Sequence, residues 1–205
     1  MRYLYCHVEE FSMAETLRVL LPKLTKERVQ WEVINHGSKD RLLKNLPNRF
    51  QGYCALSQVM DLRLLVLVDR DDDNCFVLKE KLEKIAKDKG LVTKSASLPD
   101  GSFMVVNRIV VEELEAWFFG DIPALCKAYR RISATLGSNK KFRNPDAIRG
   151  GTWEALHREM NKVGYYHGHF PKIEVARNVT PHMSLSANRS ASFQAFCQGV
   201  EALLV

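Results

Sequence analysis

Few stretches permit as little choice as "RLLVLV", residues 63–68, followed at once by "DRDDDN", residues 69–74. The run is short, branched and apolar at every position after Arg63, so neither side of a strand built from it can face water. It belongs in the middle of a parallel sheet with helices on both faces. Four carboxylates, Asp69, Asp71, Asp72 and Asp73, then crowd its carboxyl end. In sheets of this kind, ligands sit beyond that end.

The surrounding pattern alternates accordingly. "YLYCHV" (3–8) reads as a strand, and "SMAETLRVLLPKL" as a helix opened by a capping box, with Ser12 and Glu15 at the required spacing. "QWEVIN" (30–35) predicts a second strand that ends at His36-Gly37, with separate helical stretches at "SKDRLLKNL" and "GYCALSQVM" after it. Beyond the aspartates, "CFVLKEKLEKIAKDKG" carries Phe76, Leu78, Leu82, Ile85 and Ala86 on one stripe, with Gly90 as its stop. "LVTKSA" and "FMVVNRIVV" predict two more strands, and Trp117, Phe118 and Phe119 read as core. From Asp121 onward, short helical pieces broken by "LGSNKKFRNP", "RGG" and "GYYHGHFP" read as a helical cap, closed by a helix that Ser190 caps. The expected architecture is α/β: a mostly parallel central sheet flanked by helices over residues 1–120, and a C-terminal helical cap over 121–205 packed as one unit with it.

Acids recur where strands end. Glu9-Glu10 follow the first strand, Asp69 to Asp73 the central one, and Glu112, Glu113 and Glu115 a later one. Close carboxylates repel one another by on the order of a few kcal/mol per pair at an effective dielectric of about 20. They must splay into water, take up protons or hold a cation, and an all-oxygen donor set favours a hard one such as magnesium, manganese or calcium. Asp69 and Asp71 are two apart and share a face for as long as the chain stays extended. Asp69, Asp71, Asp73 and Glu80 also fall at the first, third, fifth and twelfth positions of an EF-hand calcium loop. Against that reading, "RLLVLV" is a poor entering helix, Asn74 stands where Gly is usual, and the stripe from Phe76 starts a helix inside the supposed loop. An aspartyl phosphatase shares the Asp-x-Asp start but normally has Thr where this chain has Asp73, and a receiver domain fits less well.

Net charge is +6, and the excess is local. Lys127, Arg130, Arg131, Lys140, Lys141, Arg143 and Arg149 stand against the single acid Asp146 between residues 126 and 149, while bases and acids balance elsewhere. Such a segment is either a footprint for nucleic-acid phosphates or a solvated face. The five cysteines are scattered and form no Cys-x-x-Cys pair, which suggests neither a disulfide framework nor a zinc knuckle. His167 and His169 have no acidic or cysteine partner nearby in sequence and read as loop or packing histidines. Neither a signal peptide nor a run of ~18 apolar residues is present, so a cytoplasmic protein without a membrane span is expected.

The acidic sites taken together resemble the Toprim domain, the fold shared by primases, topoisomerases and nucleases of the overcoming-lysogenization-defect type. "HVEEFSMAETLRVLLPKL", "LVLVDRDDDN", "RIVVEELEAWFFGD" and "NRSASFQAF" are more similar still to a Toprim-like family of uncharacterised bacterial proteins often found beside an ATPase partner. The resemblance implies a general acid/base or metal-ligand role for Glu9 and magnesium (or manganese) ligation by Asp69 and Asp71. It implies further ligand or supporting roles for Asp73, Glu113 and Glu115. Toprim sequences usually place Gly after the first glutamate; here it is Glu10, which either crowds a bound phosphate or adds a ligand.

The activity implied is Mg2+-dependent nuclease or related phosphoryl-transfer chemistry on nucleic acid, in which metal and carboxylates stabilise charge and move a proton. Lys172 and Arg189 either reach a phosphate at the sheet edge, alongside the basic segment, or serve in a salt bridge or at a helix start. The chain has no Walker-type phosphate loop, so any ATP hydrolysis in an ATPase-linked defence system must come from a separate ABC/AAA-type partner. The alternative is a catalytically inactive Toprim-like binding module whose acids form a solvated edge. On that alternative Glu113 and Glu115 serve only to open a helix.

Overall fold

The apolar run occupies the place its composition demands. In the computed structural model, which describes residues 1–205, strand β3 (Leu62–Asp69) lies between β1 (Tyr3–Val8) and β4 (Val105–Val110), and β2 (Gln30–Asn35) completes a four-stranded sheet of order β2-β1-β3-β4. All three pairings are parallel. Alternate residues of β3 therefore enter two different cores. Leu65 and Leu67 join the larger one with α1 (Phe11–Thr25) and α8 (Ala191–Leu204). Leu62, Leu64, Val66 and Val68 join the smaller one with α2 (Lys39–Leu56) and α3 (Cys75–Lys87). This is the α/β arrangement with helices on both faces and a helical C-terminus that the sequence predicts, and it is consistent with a Toprim-like fold.

After β4 come α4 (Glu115–Gly120), α5 (Ile122–Ala128), α6 (Thr152–Lys162) and α7 (Lys172–Val179). Their apolar faces enter the same core as α1: Phe118, Leu125, Leu156 and Val175 pack in one cluster with Leu4 and Leu17. Trp117, Phe118 and Phe119 are wholly buried in it, as expected. Gly120 marks where two segments cross. A Cβ there would fall 2.1 Å from Oδ1 of Asn188, and the Gly120 carbonyl accepts from the Arg189 N–H. Ser190 caps α8 by accepting from the Phe193 N–H.

Several local expectations need correction. Helix α1 begins at Phe11 with Glu10 before it, so Ser12 lies inside the helix and its hydroxyl donates to the Glu10 carboxylate instead of capping. The two helical stretches after β2 are one helix, α2, which runs through Pro47. "LVTKSA" is not a strand: only Thr93 bridges to Val105 before a single 3-10 turn. The α3 stripe buries Leu78, Leu82 and Ala86 but leaves Phe76 in water. Gly90 does stop α3, with φ at +73°. The EF-hand reading fails because a β-strand enters the acidic loop and α3 starts at Cys75 within it. All five cysteines are free, and no helix is long and apolar enough to cross a membrane.

Candidate active site

Parallel strands deliver their carboxyl ends to one edge, and the chain places an acidic segment after three of the four. Glu9 follows β1, Asp69 ends β3 beside it, and Glu112 to Glu115 follow β4. Glu9 is 7% exposed, Asp69 4% and Glu115 not at all. The Asp69 N–H donates to Oε1 of Glu9 at 2.9 Å. Beyond that bond the buried carboxylates are short of partners: Oδ1 of Asp69 and both carboxyl oxygens of Glu115 are sequestered with no hydrogen bond. Such groups cost several kcal/mol if ionised and alone.

Their protonation reflects this. Burial raises the Glu9 pKa to about 7, the Asp69 N–H opposing and the charge of Asp71 adding to it. Burial and then the charge of Glu9 hold Asp69 well above the ordinary carboxylate range. Burial raises Glu115 to about 8 against the pull of Lys172. Lys172, at the start of α7, is the cation of this cluster. Burial works against its ammonium, yet the charges of Glu115, Glu10, Glu113 and Asp69 outweigh it and keep its pKa raised. No carboxylate lies within ion-pair distance of Lys172 among the salt bridges of the chain; its ammonium rests 5.4 Å from the centre of the Trp153 ring.

The loop after Asp69 bends sharply, with Asp71 still close enough for its charge to act on Glu9 and Asp69. Asp71 adopts a left-handed φ of +48°, with its N–H donating to the Glu112 carbonyl. The chain is therefore not extended past Asp69, and Asp69 and Asp71 do not present one shared face. Lys39, at the head of α2, reaches Asp71 at 2.6 Å and Asp73 at 2.8 Å, and also the Arg70 carbonyl at 3.3 Å. Arg70 in turn pairs with Glu112 at 2.6 Å. Asp72 is exposed and lines, with Asp71, Glu112, Glu113, Glu154 and the Gly150-Gly151 turn, an entirely polar hollow of about 380 Å3.

Glu113 has a structural partner. One of its oxygens accepts from the Thr152 N–H (2.8 Å), the Thr152 hydroxyl (3.0 Å) and the Trp153 N–H (3.1 Å), so it caps α6. Asp146, the lone acid of the basic segment, plays the same part at α8. It accepts from the hydroxyls of Ser190 and Ser192 at 2.7 and 3.0 Å and from the N–H groups of Ala191 and Ser192. Taken with Asn188, whose amide donates to the Trp117 carbonyl, these bonds give the "NRSAS" letters a role in packing.

Of the basic residues, Lys127, Arg130, Lys140, Lys141, Arg143, Arg149 and Arg189 are exposed and form no ion pair, as a nucleic-acid footprint or a solvated face would. Arg131 is engaged within the cap, stacked 3.9 Å from the Tyr165 ring centre and bonded to the Gly164 carbonyl. His167 and His169 are exposed in the loop before α7. No three His, Cys, Asp or Glu side chains stand in a group ready to hold a metal ion.

Lys39, Thr152 and Glu154 escape sequence reasoning because they lie far along the chain from the acids. The one available signal was topological: β2 runs beside β1, so the loop at Lys39 had to open at the same edge as Glu9.

Fold and site together define an all-parallel α/β protein with buried, underpartnered carboxylates at the carboxyl edge of its sheet. The chain belongs to the family described as a domain of unknown function, DUF4276, whose model matches residues 8–201. That description names neither a Toprim domain nor an ATPase. No curated protein and no solved structure matches the chain.

Proposed function

We propose that the protein is a Toprim-like, magnesium- or manganese-dependent nuclease or related phosphoryl-transfer enzyme acting on nucleic acid, centred on Glu9, Asp69 and Glu115. The observation that carries this reading is the orphaned state of Oδ1 of Asp69 and both oxygens of Glu115. Three buried, hard oxygen donors without partners suit a divalent cation better than they suit a resting core. Asp69 and Glu115 would hold the ion, with Glu9 adjoining; when bound, it would stabilise charge on a phosphate and activate water.

The chain's own groups suit the remaining work. Glu9, with a pKa of about 7, can both take and return a proton near neutrality. Lys172 faces the same carboxylates without being neutralised by a close ion pair, and would hold a phosphate oxygen. The exposed Lys127, Arg130, Lys140, Lys141, Arg143 and Arg189 would track the phosphate backbone, with Arg131 contributing only if it leaves Tyr165. Asp71 and Asp73 enter as ligands only if Lys39 yields them, and Glu113 only if it leaves α6. Association with a separate ABC/AAA-type ATPase in a defence system is part of this proposal and rests on family resemblance.

A second reading is favoured by one observation, that Lys39 already satisfies Asp71 and Asp73. On it, the chain is an inactive Toprim-like interaction module. Incubating the purified chain with plasmid DNA and labelled RNA in Mg2+ or Mn2+ separates the two. Cleavage that disappears in Asp69→Ala supports the enzyme; intact substrates under every condition, with the ATPase included, support the module.

A further inference from the structure

The two outer strands of the sheet are finished differently. In an outer strand, alternate residues bond to the neighbouring strand and the residues between them turn their N–H and C=O groups outward. On β4 the outward groups are occupied. The Val105 N–H donates to the Val92 carbonyl at 3.0 Å, and the Asn107 carbonyl accepts from Lys79 at 2.7 Å and from Arg108 at 3.3 Å. On β2 they are free. The Gln30 N–H donates to the Arg2 carbonyl and the His36 N–H to the Val8 carbonyl, which leaves Trp31, Val33 and Asn35 with their backbone groups pointing away from β1. No strand, loop or side chain bonds to them.

Nothing else covers this edge. β2 packs chiefly on β1 and α1, and the hollow of about 230 Å3 at its start is lined by residues of β1 and β2 alone. Proteins that remain single normally blunt an edge strand with Lys, Pro, a bulge or extreme shortness. "QWEVIN" has none of these: it is six residues of regular ladder, carrying Trp31, Val33 and Ile34, and its one charge is Glu32. The positive excess of the chain, which opposes self-association, lies between residues 126 and 149, outside β2 and the elements it packs on.

We propose that the free edge of β2 docks a second copy of this chain, the two β2 strands pairing antiparallel about a twofold axis so that the sheets join into one. The strand itself selects this occupant. Antiparallel pairing sets outward residues opposite outward residues, so a symmetric pair that keeps most of β2 in register centres on Glu32 or on Val33. Centring on Glu32 puts two like charges face to face, which destabilises the pair. Centring on Val33 sets that residue against its own counterpart, Trp31 against Asn35 and Glu32 against Ile34, and every outward N–H finds a carbonyl. A self-complementary patch of this kind is what an isologous contact requires. Because the two β2 strands run in opposite directions, the acidic edges of the copies face opposite ways and each stays open. The inference is independent of the reaction proposed above.

The test is sedimentation velocity of the full chain over a concentration series. A strand-to-strand contact lies at the small end of specific interfaces, so the chain passes from monomer to dimer within the micromolar range, up to about 100 μM. Val33→Pro removes an outward N–H while leaving the bonds to β1, and stays monomeric throughout the series with the far-ultraviolet circular dichroism of the parent. Should that variant fail to fold, cysteines decide. Opposed residues of a hydrogen-bonded pair stand about 5.5 Å apart between Cα atoms, within disulfide reach. Val33→Cys therefore links into a covalent dimer under mild oxidation, whereas Trp31→Cys, whose counterpart lies several residues further along the strand, and the parent with its free cysteines do not. A parent that stays monomeric over the whole series, a dimer that survives Val33→Pro, or a Trp31→Cys link as ready as that of Val33→Cys overturns the proposal.

Discussion

The Asp69 N–H donates to the Glu9 carboxylate at 2.9 Å, joining the carboxyl ends of β1 and β3 through a side chain where the ladder of the sheet has run out. The bond holds Glu9 beside Asp69; burial raises the pKa of both carboxyl groups, the bond itself opposing the rise at Glu9. Removing the acceptor should be felt in stability as well as chemistry. Glu9→Ala leaves the Asp69 N–H buried and unpaired, a loss of about 1–3 kcal/mol, whereas Glu9→Gln keeps the acceptor and melts within a few degrees of the parent. Cleavage is lost in both. Urea denaturation of the two variants checks the difference.

Stability without divalent cation should fall as pH rises. A carboxyl group whose folded pKa lies above its unfolded value binds more protons in the folded state, so its contribution is complete at low pH and is lost as pH climbs through the folded value. For Glu115 that window runs from its ordinary value of 4.5 to about 8, and Asp69 and Glu9 act in the same sense. The melting temperature in EDTA is therefore higher at pH 6 than at pH 8.5, by an amount on the order of a few kcal/mol in stability. Glu115→Gln flattens the dependence, and Mg2+ restores stability at the alkaline end. A flat profile in the parent contradicts the account.

Lys39 competes with any cation for Asp71 and Asp73, since its ammonium already bridges them. Both aspartates are half-exposed, so the pairs contribute about 0–1 kcal/mol each to folding. Lys39→Met consequently costs little in thermal unfolding but tightens Mn2+ binding several-fold in a calorimetric titration. Unchanged affinity would show that neither aspartate joins the ion.

Glu113 offers the opposite case. Because it caps α6 through three bonds, Glu113→Ala lowers stability by about 1–2 kcal/mol in chemical unfolding. Cation dependence of cleavage is retained in the folded variant.

Much of this molecule is legible in its sequence. "RLLVLV" specified a central parallel strand because no other position covers both its faces, and the crossovers then carried Glu9, Asp69 and Glu115 to one edge. What escaped was set by partners distant in sequence. Counting along an extended chain puts Asp71 on one face with Asp69, but a left-handed turn and the pairing with Lys39 break that alignment. Glu113 looked like its neighbour Glu115, yet Thr152 claims one and nothing claims the other. Phe76 fitted the helical stripe of α3, but it sits in the first turn, where the sheet has ended and no core remains to receive it. "LVTKSA" has the composition of a strand, and only Thr93 reaches β4.

Calorimetric titration of Mn2+ into the full chain at pH 7.5, beside Asp69→Asn, tests the central claim most directly. The account predicts saturable binding by the parent that weakens at least tenfold in the variant, whose amide keeps the shape of the carboxylate but not its charge. No binding by the parent, or equal binding by both, would contradict it.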